Sequence, residues 1–323
     1  MLGRDMQSNE AGGLRTEHRT TVPAPAATVY ELLADVRGWP VIFPPTIHAE
    51  SSELGGGDQR IRLWATANET VKTWTSMRRL DPVGMRVDFA QEVPQEPVAA
   101  MRGWWAVEPL SADSCAVLLG HEFSAVDDDP AALSWIERAV DTNSNRELAS
   151  LASAAARAVS PEELVFDFSD SVEVVGPRHA AYEFIDRADE WRWKLPHVAS
   201  VALTVVAPDV QLLEMDTVAS NGSTHRTASY RVCFTDHAIV YKQTEFPPFL
   251  AGHTGRWSFT EAEGRTVVES SHTVVLNPDG LERLPEEARS VGAARDFITC
   301  ALSTNSRATL GLLKEFVERN NGR

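Results

Sequence analysis

Val71-Lys72-Thr73-Trp74-Thr75-Ser76-Met77-Arg78 is rich in β-branched and aromatic residues, the composition of a strand. Side chains alternate between the faces of a strand, so Trp74, Ser76 and Arg78 share one face. About 150 residues later, Thr227-Ala228-Ser229-Tyr230-Arg231 again places Ser and Arg two apart in strand-like surroundings. If that shared face is the inner one, each half of the chain holds an arginine and a hydroxyl inside a largely apolar cavity.

Working outward from these two strands, the halves match in order. Thr20-Thr-Val-Pro-Ala-Pro-Ala-Ala-Thr-Val-Tyr30-Glu-Leu-Leu reads as a strand and then a helix whose Ala26, Val29, Tyr30 and Leu33 form one face. Val172-Glu-Val-Val-Gly-Pro-Arg-His-Ala-Ala-Tyr182-Glu-Phe-Ile repeats that plan. Trp39-Pro-Val-Ile-Phe43-Pro44 and Trp191-Arg-Trp-Lys-Leu195-Pro196 follow at an offset of 152, as do Gly103-Trp104-Trp105 and Gly255-Arg256-Trp257. His121 and His272 match at 151. Asn143-Ser144 and Asn305-Ser306 match at 162, so extra residues precede the second long helix, where Leu276–Pro285 sits. This is a tandem duplication. Turns are written at Gly55-Gly56-Gly57-Asp58, Asp81-Pro82, Asn221-Gly222 and Ala262-Glu263-Gly264.

Each half therefore reads as strand, helices, several antiparallel strands and a long terminal helix. That order predicts an α+β fold, two tandem domains with a curved antiparallel sheet wrapped around a C-terminal helix. The expected organisation is a polar leader over residues 1–16, a first domain over 17–160 and a second over 161–323, with Pro161 able to stop the first long helix. Small residues on the helix seams, Ala139, Val140, Asn143 and Ser144, then Ala301, Thr304, Asn305 and Ala308, point either to an internal cavity or to close helix–sheet approach.

A net charge of −16 argues against a nucleic-acid partner, which would require a basic face. No apolar run approaches the roughly 20 residues of a membrane span, and the polar start lacks the apolar core of a signal peptide, so a cytoplasmic protein is expected. Cys115, Cys233 and Cys300 show neither metal-ligand spacing nor a disulfide framework. There is no phosphate loop, His/Cys cluster or nucleophile elbow, so neither a metal nor a redox cofactor is expected.

His121 lies on a strand whose face it shares with Cys115, Val117, Leu119 and Phe123, so it points inward and Glu122 outward. An inward histidine near neutral pKa is either a hydrogen-bonded core residue or a general acid and base. Arg78, if inward, either pairs with a carboxylate such as Asp81 or Asp88, or meets an anionic or polarised ligand. Trp39, Phe43, Trp74 and Trp105 are candidates for aromatic walls as well as for core, and Asn143 for a hydrogen bond to a carbonyl. The second half offers Ser229, Arg231, Trp257, His272 and Asn305 as its own pocket candidates.

With these residues in hand, the chain resembles the di-domain aromatase/cyclases of bacterial aromatic (type II) polyketide synthases, in the helix-grip, START-like superfamily. Trp39-Pro-Val-Ile-Phe43-Pro44-Pro45, Trp74-Thr-Ser76-Met-Arg78, Gly103-Trp-Trp105, His121-Glu-Phe123 and Asn143-Ser144 carry the resemblance. The second half departs from it, with His197 for Pro45, Thr227 for Trp74 and Asn305-Ser-Arg-Ala for Asn143-Ser-Asn-Arg. The resemblance implies cofactor-independent aldol cyclisation and dehydration of a poly-β-ketone, with C7–C12 first-ring closure on a ketoreduced chain. Arg78 and Ser76 would polarise a carbonyl or enolate, His121 would move protons, and the aromatic residues would fold the chain. The implied partners are an acyl carrier protein, a ketosynthase and a ketoreductase, with Arg60, Arg62, Arg78 and Arg79 as a candidate basic docking patch. The alternative on the same fold is a non-catalytic lipid or polyketide binding protein or a scaffold.

Overall fold

The structure, a computed structural model, describes residues 13–67, 70–160, 162–218 and 224–321. The Asn221-Gly222 turn, Pro161 and the leader up to residue 12 lie outside the described residues. The chain forms two compact units, each built on one seven-stranded sheet.

In the first unit, β1 (Leu14–Val22) runs into α1 (Ala26–Ala34) and the short α2 (Trp39–Ile42). Then come β2 (Thr46–Gly55), β3 (Asp58–Ala67), β4 (Thr70–Asp81), β5 (Arg86–Gln91), β6 (Val98–Ser111) and β7 (Ser114–Ala125). The sheet order is β1-β7-β6-β5-β4-β3-β2: a meander of hairpins closed by β1 against β7. Because β1 starts at Leu14, opposite Phe123, the last residues assigned to the leader belong to the sheet.

The helices form where capping and periodicity ask for them. On α1 the buried residues are Ala26, Val29, Tyr30 and Leu33, the face read from spacing. The long α3 (Pro130–Ala158) starts with Asp129, whose carboxylate accepts from the backbone N–H of Ala131 at 2.9 Å, and with Pro130 in its first turn. Its stripe of Leu148, Leu151 and Ala155 packs with Val29 and Leu33 of α1 and with Val107, Val117 and Leu119 of the sheet. Each fully buried Leu or Val of this kind contributes about 1.5–3 kcal/mol.

The second unit repeats the order: β8 (Val165–Val175), α4 (Arg178–Asp186), α5 (Trp191–Lys194), β9 (Val198–Ala207), β10 (Val210–Val218), β11 (Thr224–Phe234), β12 (Ala238–Glu245), β13 (Leu250–Ala262), β14 (Arg265–Leu276) and α6 (Val291–Asn321). Its sheet order is β8-β14-β13-β12-β11-β10-β9. The extra residues before α6 are two 3₁₀ turns whose Leu281, Leu284 and Ala288 pack with Leu250, Leu276 and Ile298. Among the described residues no helix is long and apolar enough to cross a membrane.

The helix seams differ from expectation by one step of rotation. Asn143 and Asn305 are exposed, as are Ala301, Thr304 and Ala308, while Ser144 and Ser306 face the sheets. Successive helical residues stand about 100° apart, so only one of each Asn-Ser pair can point inward. The seams run through Ile136, Val140, Ser144 and Leu148, and through Ala294, Ile298, Ser306 and Leu310. Each keeps a small residue midway.

Candidate functional site

Antiparallel register builds the inner face of the first sheet row by row. Arg78 of β4 pairs with Phe89, Phe89 with Gly103, Gly103 with His121, and His121 with Thr16. The second sheet repeats the row as Arg231, Tyr241, Gly255, His272 and Phe168. The two polar ends of the first row, Arg78 and His121, thus share a face. They stand three strands apart, about 14 Å between backbones at normal strand spacing, and do not touch directly.

Glycine at the centre of each row has a steric cause. A Cβ at Gly103 would lie 2.5 Å from Cζ of Phe89, and one at Gly255 would lie 2.4 Å from the Tyr241 hydroxyl. Each aromatic ring lies across its glycine toward the histidine. Phe89 meets His121 edge-on at 5.6 Å, and Tyr241 meets His272 at 6.4 Å between ring centroids.

Arg78 is buried and well engaged. Nη1 donates to the Leu33 carbonyl at 3.1 Å, and Nη2 to the Ala34 carbonyl and to Oε1 of Gln59, both at 2.7 Å. The expected pairing with a carboxylate such as Asp81 or Asp88 is corrected: the guanidinium closes the C-terminal end of α1, where exposed carbonyls favour a cation. Its hydrogen bonds among the described residues go to neutral oxygens, Glu53 and Asp35 act on its charge from a distance, and Nε is buried without an acceptor. Burial pulls its pKa down to about 10, so it stays charged at neutral pH. Arg231 does the same for α4, donating to the carbonyls of Ile185 at 2.6 Å and Asp186 at 3.3 Å.

Around Arg78 the predicted aromatic residues come together. Trp39 lies 5.4 Å beneath its guanidinium, Phe43 meets Trp39 edge-on at 5.4 Å, and Trp105 lies 6.3 Å from Phe43. Trp74 packs into the neighbouring cluster of Val36, Ala49, Ile61 and Leu63, and Trp39 borders it as well. Ser76 is buried on the same face, two residues from Arg78. Trp39, Trp74, Phe89 and His121 point inward yet are only partly buried, so helix and sheet leave open space between them. A solvent-open surface groove of about 480 Å³ is lined by Thr16 of β1 and by the exposed Glu137, Arg138, Asp141 and Thr142 of α3.

His121 differs from expectation in its proton affinity. Burial, helped by the nearby His18, pushes its pKa down to about 4, so the imidazole is neutral at pH 7. Ser144 Oγ stands 3.5 Å from its Nδ1. Glu122 points outward as expected, into an ion pair with Arg102.

In the second unit Ser229 and Arg231 are buried together, and Trp257 packs in the core. Sequence reading missed Tyr241 and His253. The signal was present, because His253 alternates with Gly255, Trp257 and Phe259 on the inner face of β13. The basic docking patch dissolves: Arg60 is bonded to Glu92 and Arg79 to Asp58, each at 2.7 Å, Arg62 stacks on Trp64, and Arg78 is buried. No cluster of three or more metal-ligating side chains occurs among the described residues.

Comparison with known proteins agrees with this architecture. Residues 14–156 match the family described as polyketide cyclase/dehydrase and lipid transport. A granaticin polyketide synthase bifunctional cyclase/dehydratase of Streptomyces virginiae is 46% identical, over 91% of this chain and 97% of that one. An actinorhodin polyketide synthase bifunctional cyclase/dehydratase of Streptomyces coelicolor is 42% identical, over 93% and 95%. The crystal structure of the di-domain ARO/CYC BexL, from the BE-7585A biosynthetic pathway, superposes with a TM-score of 0.89 at 50% identity, covering 94% of this chain and 99% of that one. That of the di-domain ARO/CYC StfQ, from the steffimycin pathway, gives 0.85 at 34%, covering 95% and 100%.

Proposed function

Since the chain belongs to the polyketide cyclase/dehydrase family, in its two-domain aromatase/cyclase form, we propose that it binds a carrier-protein-bound poly-β-ketone and closes and dehydrates its first ring. The regiochemistry we assign is C7–C12, on a chain already reduced by a ketoreductase. The working environment is the cytoplasm, beside the carrier protein, ketosynthase and ketoreductase of a type II synthase.

One observation carries the reading: a buried guanidinium with no carboxylate hydrogen-bonded to it among the described residues, lying over Trp39 with its Nε–H unclaimed and Ser76 buried two residues away on the same strand. In a low-dielectric surrounding such a fixed charge stabilises oxygen that becomes negative as a methylene is deprotonated. Arg78 polarises the carbonyl whose enolate forms, and Ser76 adds a hydroxyl on the same face. Trp39, Phe43 and Trp105 supply an apolar wall against which the flexible chain bends, bringing the methylene near the distant carbonyl. The proton lost on enolisation returns to the new alkoxide; the attacking carbon then gives up its remaining hydrogen as a proton, the C–O bond breaks, and the hydroxyl leaves with that proton as water as the ring double bond forms. Neutral His121 suits hydrogen bonding and transient proton relay at the other end of the row, rather than storage of a proton at pH 7.

The test is product analysis with a minimal polyketide synthase plus ketoreductase, comparing wild type, Arg78→Lys and Arg231→Lys. Lysine keeps the charge and the attraction to the helix carbonyls but removes the Nε donor. Arg78→Lys is expected to divert the chain to unaromatised shunt products. A wild-type product profile from a folded Arg78→Lys protein would sink the assignment of Arg78.

A further inference from the structure

The C-terminal unit contains a hydrogen-bonded chain that the N-terminal unit lacks. Gln243 Oε1 lies 2.9 Å from His253 Nδ1, His253 Nε2 lies 3.0 Å from His272 Nδ1, and His272 Nε2 lies 2.9 Å from Ser306 Oγ. Ser270 Oγ stands 3.3 Å from the same Nε2. The Tyr241 hydroxyl lies 3.0 Å from His272 Nδ1. By strand register and offset the matching positions of the first unit are Phe89 for Tyr241 and Met101 for His253, while Gly103, His121 and Ser144 match Gly255, His272 and Ser306. Three differences, Tyr241 for Phe89, His253 for Met101 and Ser270 for Leu119, therefore turn a loosely held histidine into the centre of a network.

The positions of the hydrogens follow from one end. An amide oxygen only accepts, so His253 Nδ1 carries the hydrogen it gives to Gln243. Burial pushes His253 down to about 3 and His272 to about 4, so both rings are neutral and carry one hydrogen each. His253 Nε2 is then an acceptor, which makes His272 Nδ1 a donor and His272 Nε2 the acceptor for Ser306. The single Nδ1–H of His272 is shared between His253 Nε2 and the Tyr241 oxygen, each 3.0 Å away, and because that nitrogen already carries a hydrogen Tyr241 accepts there and does not donate. The hydroxyl hydrogen of Tyr241 is left to point elsewhere. Its ring is inward but only partly buried, as are Val201, Leu203 and Met215 on the same inner face. The nearest carboxylate of the network, Asp170 opposite Ser270, is held by Arg307 at 2.6 Å.

We propose that the C-terminal unit carries a second oxyanion site, in which Tyr241 donates its hydroxyl hydrogen to the carbonyl or enolic oxygen of an aromatising ring. The ligand class rests on the reading of the first unit; the donor arrangement does not. Tyr241 is the residue that touches the ligand. His272 is a positioning residue: its Nδ1–H holds the phenol oxygen from behind and stabilises negative charge there as the hydrogen bond strengthens. His253 and Gln243 fix the tautomer of His272, as the outer partners of a catalytic imidazole do. Burial raises the Tyr241 pKa, so it remains a donor at neutral pH.

The test uses the full chain and two probes of the same shape, 2-naphthol and naphthalene, titrated against wild type, Tyr241→Phe and His253→Met by fluorescence. Wild type is expected to prefer naphthol by about tenfold, the upper end of what one neutral hydrogen bond contributes. Tyr241→Phe is expected to lose that preference while binding naphthalene unchanged, which a merely misfolded variant would not do. His253→Met, which restores the first unit's residue, is expected to lose part of it. No preference for naphthol in wild type, or a full preference in Tyr241→Phe, overturns the proposal. The result is independent of the product analysis: loss of naphthol preference alongside an unaffected Arg78→Lys product profile would leave this site standing and remove the first-unit mechanism.

Discussion

Arg78 donates from Nη2 to the carbonyl of Ala34 at 2.7 Å, tying strand β4 to the end of helix α1 across 44 positions of sequence. The repeat of that tie in Arg231 and Ile185 means that a guanidinium at this position is part of how each unit closes. Arg78→Ala would leave two carbonyls and Gln59 without their donor in a buried place. Hydrogen bonds to charged groups contribute about 1.5–3 kcal/mol each, and the losses overlap, so a stability loss of about 3 kcal/mol or more is expected in urea unfolding. Arg231→Ala should lose a similar amount. A loss below about 1 kcal/mol in either would show that the tie is incidental. Activity lost in Arg78→Ala alone is therefore ambiguous, and the lysine variant is the sharper probe.

Gly103 and Gly255 are tested by one added methyl. At Gly103 the Cβ would also stand 2.4 Å from the carbonyl oxygen of Gly120, and at Gly255 2.6 Å from that of Ser271. Backbone yields poorly, so each alanine variant is expected to lose about 1–3 kcal/mol, the usual cost of overpacking. Gly255→Ala also pushes the Tyr241 ring away from His272. It should therefore reduce naphthol preference, and Gly103→Ala should not. Equal effects of the two variants on that preference would separate the glycine from the ring it accommodates.

Trp39 presents a contrasting case. Its indole Nε1 is buried without an acceptor, and its ring carries the guanidinium of Arg78. Trp39→Phe removes an unsatisfied donor and keeps an aromatic face. Stability should change by less than about 1 kcal/mol, because the cation–π contact is retained in weaker form and the lost volume is partly offset by the lost orphan. Thermal unfolding checks the first claim. Product analysis checks whether the smaller wall broadens the set of rings formed.

Much of this arrangement was legible in the sequence because strands advertise their faces. Trp74, Ser76 and Arg78 share a side by alternation alone, and the duplication assigned Arg231 and His272 by offset. What failed was phase and partnership. Asn143-Ser144 marks the right turn of α3, but two neighbours on a helix cannot both face the sheet, and the polarity of asparagine favoured the wrong one. The partners of Arg78 are backbone carbonyls of α1, which no side-chain pattern encodes. Tyr241 and His253 stand where the first unit has Phe89 and Met101, so matching the two halves does not single them out. It is the departure from the repeat, not the repeat, that marks the second site.

The histidines make acid sensitivity the most general test of these networks. His121, His253 and His272 have pKa values of about 4, 3 and 4, each lowered chiefly by burial, against about 6.5 in an unfolded chain. For a base whose folded pKa is depressed, the unfolded state binds protons first as pH falls. Stability is then full above about pH 6.5 and declines toward pH 4, at about 1.4 kcal/mol per pH unit for each histidine. His197, also lowered by burial, acts in the same direction, whereas His179, raised by Asp236 at the surface, opposes it weakly. Carboxylates whose pKa values are lowered by partners, such as Asp35 beside Arg37, add their own loss at lower pH. Urea unfolding at pH 7.5, 6 and 5 should therefore show a steep fall for wild type. His253→Met removes one buried titrating ring and should flatten that fall by about one histidine's share. An unchanged slope would mean that His253 is protonated in the folded protein or open to solvent. The chain from Gln243 to Ser306, and with it the hydrogen left free on Tyr241, would then have to be drawn differently.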